Sequence, residues 1–372
     1  METFSPVIIA GTSPRPGGAE QLLSAADAAK LDRLDLRSRR MFAGKLPGER
    51  RSKKRGRSVE FADHRQYAPG DDLRFIDWNV YARFDRLFVK LFMEEEDLSL
   101  HVVIDASTSM DTPEIAVGTS APDAAGEGDR ATDRLGVNKK LFACRVAAAM
   151  AHLALSKQNR VGLTVFGAPA VERPAVLADC RGRPNVPRVM RFLLDSAWPQ
   201  ASGATTAGAP GGSAGSRGGN GFTAAMDSIA RSRTGKGVIV VLSDFFGDAD
   251  EGFEPGLRTL GTLAGGGGGA GGFDVFCVQT IAPAEEEPEL LGRSALDALA
   301  GDLRLSDAET GRAAEVTIST ALIKKYKQRF GAFRRELEQF CAARGMVHLA
   351  ARTDGDIGEL LTGPLRRRGV VA

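Results

Sequence analysis

Short apolar runs alternate with segments of helical periodicity along most of this chain, and this alternation is the feature that most restricts its fold. The apolar runs lie at 98–104, 160–166, 237–242, 273–280 and 346–350. The helical patterns occupy 139–157, 187–195, 223–231, 252–263 and 320–344. Strands with almost unbroken apolar character are typical of positions buried on both faces of a sheet. The sequence therefore predicts an α/β fold with a central, mainly parallel sheet and helices on both of its faces.

The composition is that of an ordinary folded protein. Of the 372 residues, 43% are hydrophobic and 26% are charged, which excludes collagen, a coiled coil and wholesale disorder. The length corresponds to one large domain or two smaller ones. No window holds the roughly 18 unbroken apolar residues of a membrane span, and the N-terminus lacks the pattern of a secretory signal, so we expect a cytoplasmic protein. The cysteines form no CxxC pair, which favours free buried thiols.

Composition divides the chain into three parts. Residues 1–35 are rich in Ala, Gly, Ser and Pro without periodicity, which predicts a disordered tail outside the fold. The segment 36–97 precedes the first strand of the predicted sheet, and 98–372 contains that sheet. Small-residue segments inside the last part predict loop insertions at 112–135, 201–220 and 261–272. Such insertions are tolerated because the entropy of loop closure grows slowly with length.

Charge effects in this chain must be local, because 49 basic and 47 acidic residues leave a net charge of only +2. Basic side chains concentrate between Arg37 and Arg57, within a segment in which Glu49 is the main acidic residue. This stretch could bind nucleic acid or an anionic surface by releasing counterions. Phe42 is its one aromatic residue, so it lacks side chains for stacking on bases. A solvated face or a contact with an acidic partner is therefore favoured, and we expect no nucleic-acid partner.

Polar residues follow two of the predicted strands at the ends where an open parallel sheet carries its functional crevice. Asp105, Ser107 and Ser109 follow the first strand, and Ser243-Asp244 follows the strand at 237–242. Alternation in an extended turn lets the carboxylate of Asp105 and the two hydroxyl groups point the same way. Such an oxygen set suits Mg²⁺, which holds few protein carboxylates and keeps several waters. N-caps and turns use the same residue types, and that structural role is the alternative.

A further hydroxyl group for such a site could come from Thr223, at the start of a predicted helix. Thr205 and Thr206, in the adjacent insertion, are its rivals. The predicted metal ligands are therefore Asp105, Ser107, Ser109, Thr223 and Asp244.

A second distinctive pattern lies upstream of the sheet. Pro69-Gly70 suits the middle of a type II turn, because proline presets φ and glycine accepts a positive φ. Charged residues surround Tyr67 and Trp78, and they predict a network of ion pairs that clamps this segment against the main sheet. These residues are Arg65, Asp71, Asp72, Arg74, Asp77 and Arg83.

The order of strand, DxSxS, helix, Thr, strand and Asp resembles the metal-ion-dependent adhesion site of von Willebrand factor type A domains. Together with the upstream string R-x-Y-x-P-G-D-D-x-R-x-I-D-W-N at 65–79, then Ala82-Arg83, it resembles the DUF58 family. The resemblance runs from about Arg40 to the C-terminus and includes the motif at 305–311. One departure is Phe222, because families with this site usually carry glycine before the threonine.

The resemblance implies a Rossmann-like von Willebrand A domain at 98–372, preceded by an appended, β-rich DUF58 segment at 36–97. It also implies a bacterial or archaeal protein that binds other proteins through Mg²⁺, or through Mn²⁺ or Ca²⁺. Family members resemble one another in partnership with MoxR-type AAA+ ATPases, so the expected role is that of an adaptor or co-chaperone.

Enzymatic functions find less support in the sequence. The chain has no P-loop, and the formal GxGxxG at 267–272 precedes a predicted strand instead of following one. A metal-dependent phosphohydrolase is the best enzymatic alternative, with Asp105 attacking phosphorus or positioning water. Ser107 stands where such an enzyme commonly has a second carboxylate. We therefore expect a protein that is not an enzyme.

Overall fold

A computed structural model describes most of the chain. The described residues are 15–36, 61–92, 98–111, 138–169, 171–199, 221–246, 252–264, 272–288, 302–306, 313–317 and 320–371. The basic stretch 37–57, the insertions 112–135 and 201–220, and residues 307–311 of the downstream motif lie outside these ranges. The chain divides into two compact units, one formed by Met1–Met41 with Leu98–Ala372 and the other by Phe42–Asp97.

The strands, in chain order, are β1 (Phe61–Gln66), β2 (Phe88–Phe92), β3 (Ser99–Asp105), β4 (Arg160–Phe166), β5 (Ala175–Arg181), β6 (Lys236–Ser243), β7 (Gly272–Ile281), β8 (Asp302–Ser306), β9 (Ala313–Thr317) and β10 (Val347–Arg352). The helices are α1 (Ala25–Leu31), α2 (Trp78–Phe84), α3 (Lys139–Ser156), α4 (Val186–Ala197), α5 (Phe222–Ser232), α6 (Glu254–Ala264), α7 (Pro283–Glu286), α8 (Thr320–Ala342) and α9 (Ile357–Leu360), with a π-helical turn at Leu361–Leu365.

The larger unit is built on a six-stranded sheet in the order β10-β7-β6-β3-β4-β5. Every neighbouring pair is parallel except β4 and β5, which are antiparallel. Helices cover both faces, so the prediction of a Rossmann-like α/β fold is confirmed. The β8–β9 hairpin forms a separate antiparallel pair.

Alternating side chains of the central strand enter two different apolar cores, because successive residues of a strand point to opposite faces. Leu100, Val102 and Ile104 of β3 lie in the core that contains α3 and α4. Val103 lies in the opposite core, with residues of α5, α6 and α8. This burial on both faces explains why the strand is apolar almost throughout.

The chain reverses its direction of travel across the sheet beside β3. From β3 it passes through α3 to β4 on one side, and it later enters β6 on the other side of β3. The carboxyl ends of β3 and β6 therefore meet at a topological switch point, where open α/β sheets form their binding crevices.

The N-terminal segment differs from the predicted disordered tail. Leu22, Leu31 and Leu36 are only 2%, 4% and 6% exposed and belong to the same core as α3. Leu36 also forms a β-bridge with Val371, and Asp32 lies 3.0 Å from Nε2 of His152. Buried leucines dock this segment although its overall composition is polar and small, and ion pairs of Arg15 with Asp195 and of Asp32 with Arg183 support them. Residues 1–14 lie outside the described part.

Two further elements differ from the sequence prediction. Strand β5 is not predicted, because only Leu177 and Cys180 of Ala175–Arg181 are buried and the strand lacks a continuous apolar run. The expected insertion at 261–272 begins later than predicted, since residues 261–264 continue α6 and Gly261 packs against Arg344. A side chain at Gly261 would come within 3.2 Å of Arg344 Cδ, so the small residue serves helix packing there.

The smaller unit carries the predicted turn. The Asp71 amide donates to the carbonyl of Ala68 (3.1 Å), and Gly70 has φ of +102°, as the third residue of a type II turn requires. Strands β1 and β2 pair antiparallel on either side of it. Part of the expected ion-pair network is present within the unit, where Arg65 pairs with Asp71 at 2.6 Å.

A second cluster in the smaller unit surrounds Asp77. Its carboxylate caps α2 through the amides of Asn79 and Val80, and it lies 3.0 Å from His64 Nε2 and 3.3 Å from Lys90 Nζ. In the part of the chain that the structure describes, no helix is long and apolar enough to cross a membrane.

Replacing Leu31 with alanine should lower the free energy of unfolding by about 2 to 5 kcal/mol, because it removes a buried side chain from the main core. Denaturant unfolding of the full-length protein measures this. The exposed neighbour Arg33 provides the matched control, since Arg33→Ala should change stability by no more than about 0.5 kcal/mol. Equal, small effects of both substitutions would restore the interpretation of this segment as a tail.

Candidate metal centre

The candidate site begins with a tight turn at the end of β3. The amide of Ser107 donates to Oδ1 of Asp105 (2.9 Å), and the hydroxyl groups of Ser107 and Ser109 lie 3.1 Å apart. The amide of Ala106 donates to the carbonyl of Phe166 (2.8 Å), which extends the β3–β4 ladder into the turn. The structure therefore brings the three predicted DxSxS residues together.

Gly167 makes room for this turn on the neighbouring strand. Its φ is +75°, and a Cβ atom there would lie 3.0 Å from the amide nitrogen of Ser107 and 3.2 Å from Oδ1 of Asp105. Both the backbone conformation and the close approach favour glycine. Gly167, directly after β4, thus leaves room for the turn that follows β3.

Ser243 joins the end of β6 to the end of β3. Its hydroxyl group donates to Oδ2 of Asp105 (2.6 Å) and accepts from the amide of Phe245 (2.9 Å). Both oxygens of Asp105 are thus held by neutral donors. The sequence shows Ser243 beside a predicted ligand but does not reveal this contact.

Lys139 contributes a fully buried positive charge. Its Nζ lies 2.9 Å from Oδ2 of Asp244 and 2.6 Å from Oε1 of Glu285, and the three side chains are 0%, 2% and 5% exposed. Glu285 is itself anchored, because its other oxygen accepts from the amide of Ala282 (2.9 Å). Asp244, one of the predicted ligands, is therefore the partner of a lysine that sequence reasoning missed.

A sequence signal for Lys139 does exist. Lys139 and Lys140 occupy the first turn of α3, where the positive end of the helix dipole disfavours cations. Each has a carboxylate partner, since Lys140 lies 3.0 Å from Asp111. Glu285 follows the carboxyl end of β7, so the rule that identifies Asp105 and Asp244 also applies to it.

Burial dominates the electrostatics of the site. The pKa of Asp105 is raised to about 6, first by desolvation and then by the negative charge of Asp244, while hydrogen bonds from Ser107 and Ser243 oppose the shift. Desolvation also raises the pKa of Glu285, against the attraction of Lys139. For Lys139, desolvation lowers the pKa, but Asp244 and Glu285 together outweigh it and the net shift is upward.

Thr223 lies in the first turn of α5, directly after Phe222. The ring of Phe222 packs edge-on against Phe166 at the end of β4 (5.8 Å between centroids) and against Phe245 after β6 (6.0 Å). Phe222 therefore fills an apolar space beside the strand ends, which explains why a large residue stands before the threonine. The rival residues Thr205 and Thr206 lie outside the described part of the chain.

The donor set has the chemistry of a site for a hard divalent cation. Asp105 and Asp244 carry carboxylate oxygens, Ser107 and Ser109 carry hydroxyl oxygens, and the ammonium group of Lys139 pairs with Asp244 and Glu285. Within the described ranges, no group of three or more His, Cys, Asp or Glu side chains has the arrangement of a metal site. The fit therefore depends on hydroxyl ligands and water, as Mg²⁺ allows.

Comparisons with known proteins match the chain to one protein family and to relatives from mycobacteria. The family described as "Protein of unknown function DUF58" matches residues 63–121 and 123–336. Uncharacterized proteins of Mycobacterium tuberculosis and Mycobacterium bovis are each 27% identical over 350 residues, covering 93% of this chain and 91% of the relative. An uncharacterized protein of Mycobacterium avium is 29% identical over 151 residues, covering 40% of this chain and 77% of the relative. No solved structure matches the chain.

Replacing Lys139 with methionine should lower the free energy of unfolding by about 3 to 5 kcal/mol, because it leaves two buried carboxylates without their counter-charge. Urea unfolding in the presence of a chelator measures this. The exposed Lys157, one residue beyond α3, is the matched control, and Lys157→Met should change stability by at most about 0.5 kcal/mol. Similar stability of the two variants would contradict a buried ion pair.

The pH dependence of stability should differ between the wild type and Asp105→Asn. The raised pKa of Asp105 means that its stabilising contribution is full below about pH 4 and is lost as the pH rises through about 6. In chelator, Asp105→Asn should therefore gain about 2 kcal/mol relative to the wild type between pH 4 and pH 7. Denaturant unfolding at several pH values measures the difference, and parallel profiles would contradict the shift.

Proposed function

The chain belongs to the DUF58 family of proteins of unknown function, and we propose that it is a protein-binding module that acts through a divalent cation. Asp105, Ser107 and Ser109 would hold the ion, and Thr223 and Asp244 would complete its shell directly or through water. The ion would be Mg²⁺, with Mn²⁺ or Ca²⁺ as substitutes. When bound, it supplies an open coordination position for a carboxylate of the partner.

The meeting of two strand ends at the switch point carries this proposal. Asp105 lies within hydrogen-bond reach of Ser243 from β6, while Ser107 and Ser109 place two hydroxyl groups next to it. Neutral donors hold Asp105, so each of its oxygens keeps capacity for a further contact. A hydrated divalent cation could bind these oxygens, and its positive charge would also offset the excess negative charge of the buried carboxylates.

The geometry of the site favours a binding function over a catalytic one. Asp105 is 4% exposed, and both of its oxygens accept hydrogen bonds, which makes it a poor nucleophile toward a phosphate ester. An ion held by few carboxylates stays electrophilic, so an incoming carboxylate gains more there than at a site already neutralised. We therefore favour protein binding over the phosphohydrolase alternative.

The proposed partner class follows from the family resemblance. We assign the module to an adaptor or co-chaperone role with a MoxR-type AAA+ ATPase, in which the ATPase hydrolyses ATP and this chain binds a protein. An acidic side chain presented by the ATPase or by its client would meet the ion.

Asp105→Ala should abolish the binding of Mg²⁺ and the magnesium-dependent capture of partner proteins, because it removes the carboxylate at the centre of the donor set. Calorimetric titration with Mg²⁺ measures the first effect. Affinity capture from native cell lysate, in magnesium and in chelator, measures the second, and recovery of an AAA+ ATPase by the wild type in magnesium alone is the expected result.

The control for this test is Asp227→Ala, which removes a carboxylate of α5 outside the proposed ligand set. That variant should bind Mg²⁺ and partners as the wild type does. Retention of the same proteins in every condition, with or without Asp105, would refute a binding mode that runs through the metal.

A further inference from the structure

Every polar oxygen of Asp244 has a donor. Oδ2 accepts from Nζ of Lys139 (2.9 Å), Oδ1 accepts from the amide of Phe246 (3.2 Å), and the backbone carbonyl accepts from Nε2 of Gln279 (3.3 Å). One of these donors carries a full positive charge. The carboxylate of Asp244 is therefore directed at an ammonium group, in contrast to that of Asp105.

Lys139 is held in place by more than Asp244. Glu285 binds the same ammonium group at 2.6 Å and is fixed through the amide of Ala282, and the ammonium also lies 5.5 Å from the centre of the Phe246 ring. With its side chain 0% exposed, Lys139 has no route to solvent without breaking both ion pairs. The pairing with Asp244 is thus a fixed part of the site.

We propose that Lys139 is a positioning residue that keeps Asp244 out of direct contact with the ion, so that Asp105 is the one carboxylate of this chain that coordinates it. This proposal rests on the function proposed above. The crevice holds three buried carboxylates, but only one of them would coordinate the ion directly. The charge of the ion would then be only partly neutralised, so it would still attract a carboxylate from a protein partner. Asp244 would then contact the ion through water.

The charge-balanced variant Lys139→Met/Glu285→Gln tests this. It removes one cation and one anion, so the net charge around the site is unchanged while Asp244 is released. Calorimetric titration with Mg²⁺ should show affinity about tenfold tighter than that of the wild type. Adding Asp244→Asn to this variant should cancel the gain, because the gain runs through that carboxylate.

The single variant Glu285→Gln is the matched control, because it keeps Lys139 on Asp244 and should not tighten Mg²⁺ binding. Thermal melting of each variant in chelator shows that it is folded before titration. If the charge-balanced variant does not fold, Asp244→Asn and Asp105→Asn in the wild-type background replace it. Asp244→Asn should then weaken Mg²⁺ binding by about tenfold, as loss of a water-mediated contact does, and Asp105→Asn by well over a hundredfold.

The outcomes separate this proposal from the one on which it rests. Equal Mg²⁺ affinity in the wild type and the charge-balanced variant, or equal losses in Asp244→Asn and Asp105→Asn, would overturn the role of Lys139 and leave the metal site standing. Binding by the charge-balanced variant but not by the wild type would support Lys139 as the residue that withholds Asp244, and would overturn the proposed function. Absence of Mg²⁺ binding in every folded variant would overturn both.

Discussion

Burial of the central sheet on both faces is the constraint on which the rest of this structure depends. Because β3 lies between two apolar cores, its one carboxylate, that of Asp105, stands where the strand ends. The parallel arrangement of β3 and β6 then brings their carboxyl ends to the same edge. The crossovers from these strands leave in opposite directions, which opens a crevice between the strand ends. The hydroxyl group of Ser243 links the two ends by donating to Asp105.

The electrostatic consequence is a crevice in which charge cannot be screened by water. Asp105, Asp244 and Glu285 are all buried, and Lys139 is the ammonium that binds two of them. Lys139 lowers the free-energy cost of keeping Asp244 and Glu285 ionised, because its ammonium group pairs with both. Asp105 accepts hydrogen bonds from the neutral groups of Ser107 and Ser243, and the penalty of its burial appears as a raised pKa. A cation placed near Asp105 would relieve that penalty, which is the physical reason for the proposed metal site.

The elements with a strong local signal could be predicted from the sequence, whereas those defined by long-range packing could not. The four inner strands β3, β4, β6 and β7 show nearly continuous apolar runs, and α8 shows clear helical periodicity. Strand β5, at one edge of the sheet, lacks such a run, since only Leu177 and Cys180 among its residues are buried. Helix α1 is short, and its place in the core depends on Leu31 and on flanking leucines that are weak as a local pattern.

The same distinction applies to the candidate site. Asp105, Ser107 and Ser109 lie in one short turn, so their proximity follows from local spacing and is confirmed by the structure. Lys139 and Glu285 could be suspected only from indirect signals, a cation at the wrong end of a helix dipole and a carboxylate after a strand. Their pairing depends on how α3 and the end of β7 meet, which spacing along the chain does not encode.

Those long-range contacts tie the site to the assembled fold. The hydrogen bonds from Ser243 to Asp105, from Lys139 to Asp244 and from Lys139 to Glu285 span 138, 105 and 146 positions of the sequence. None of them can form before β3, β6 and β7 are aligned, so the unfolded chain has the DxSxS residues but not the site. An ion that binds the native site would therefore stabilise the whole sheet through mass action. Binding of such an ion would therefore report on the folding of the large unit.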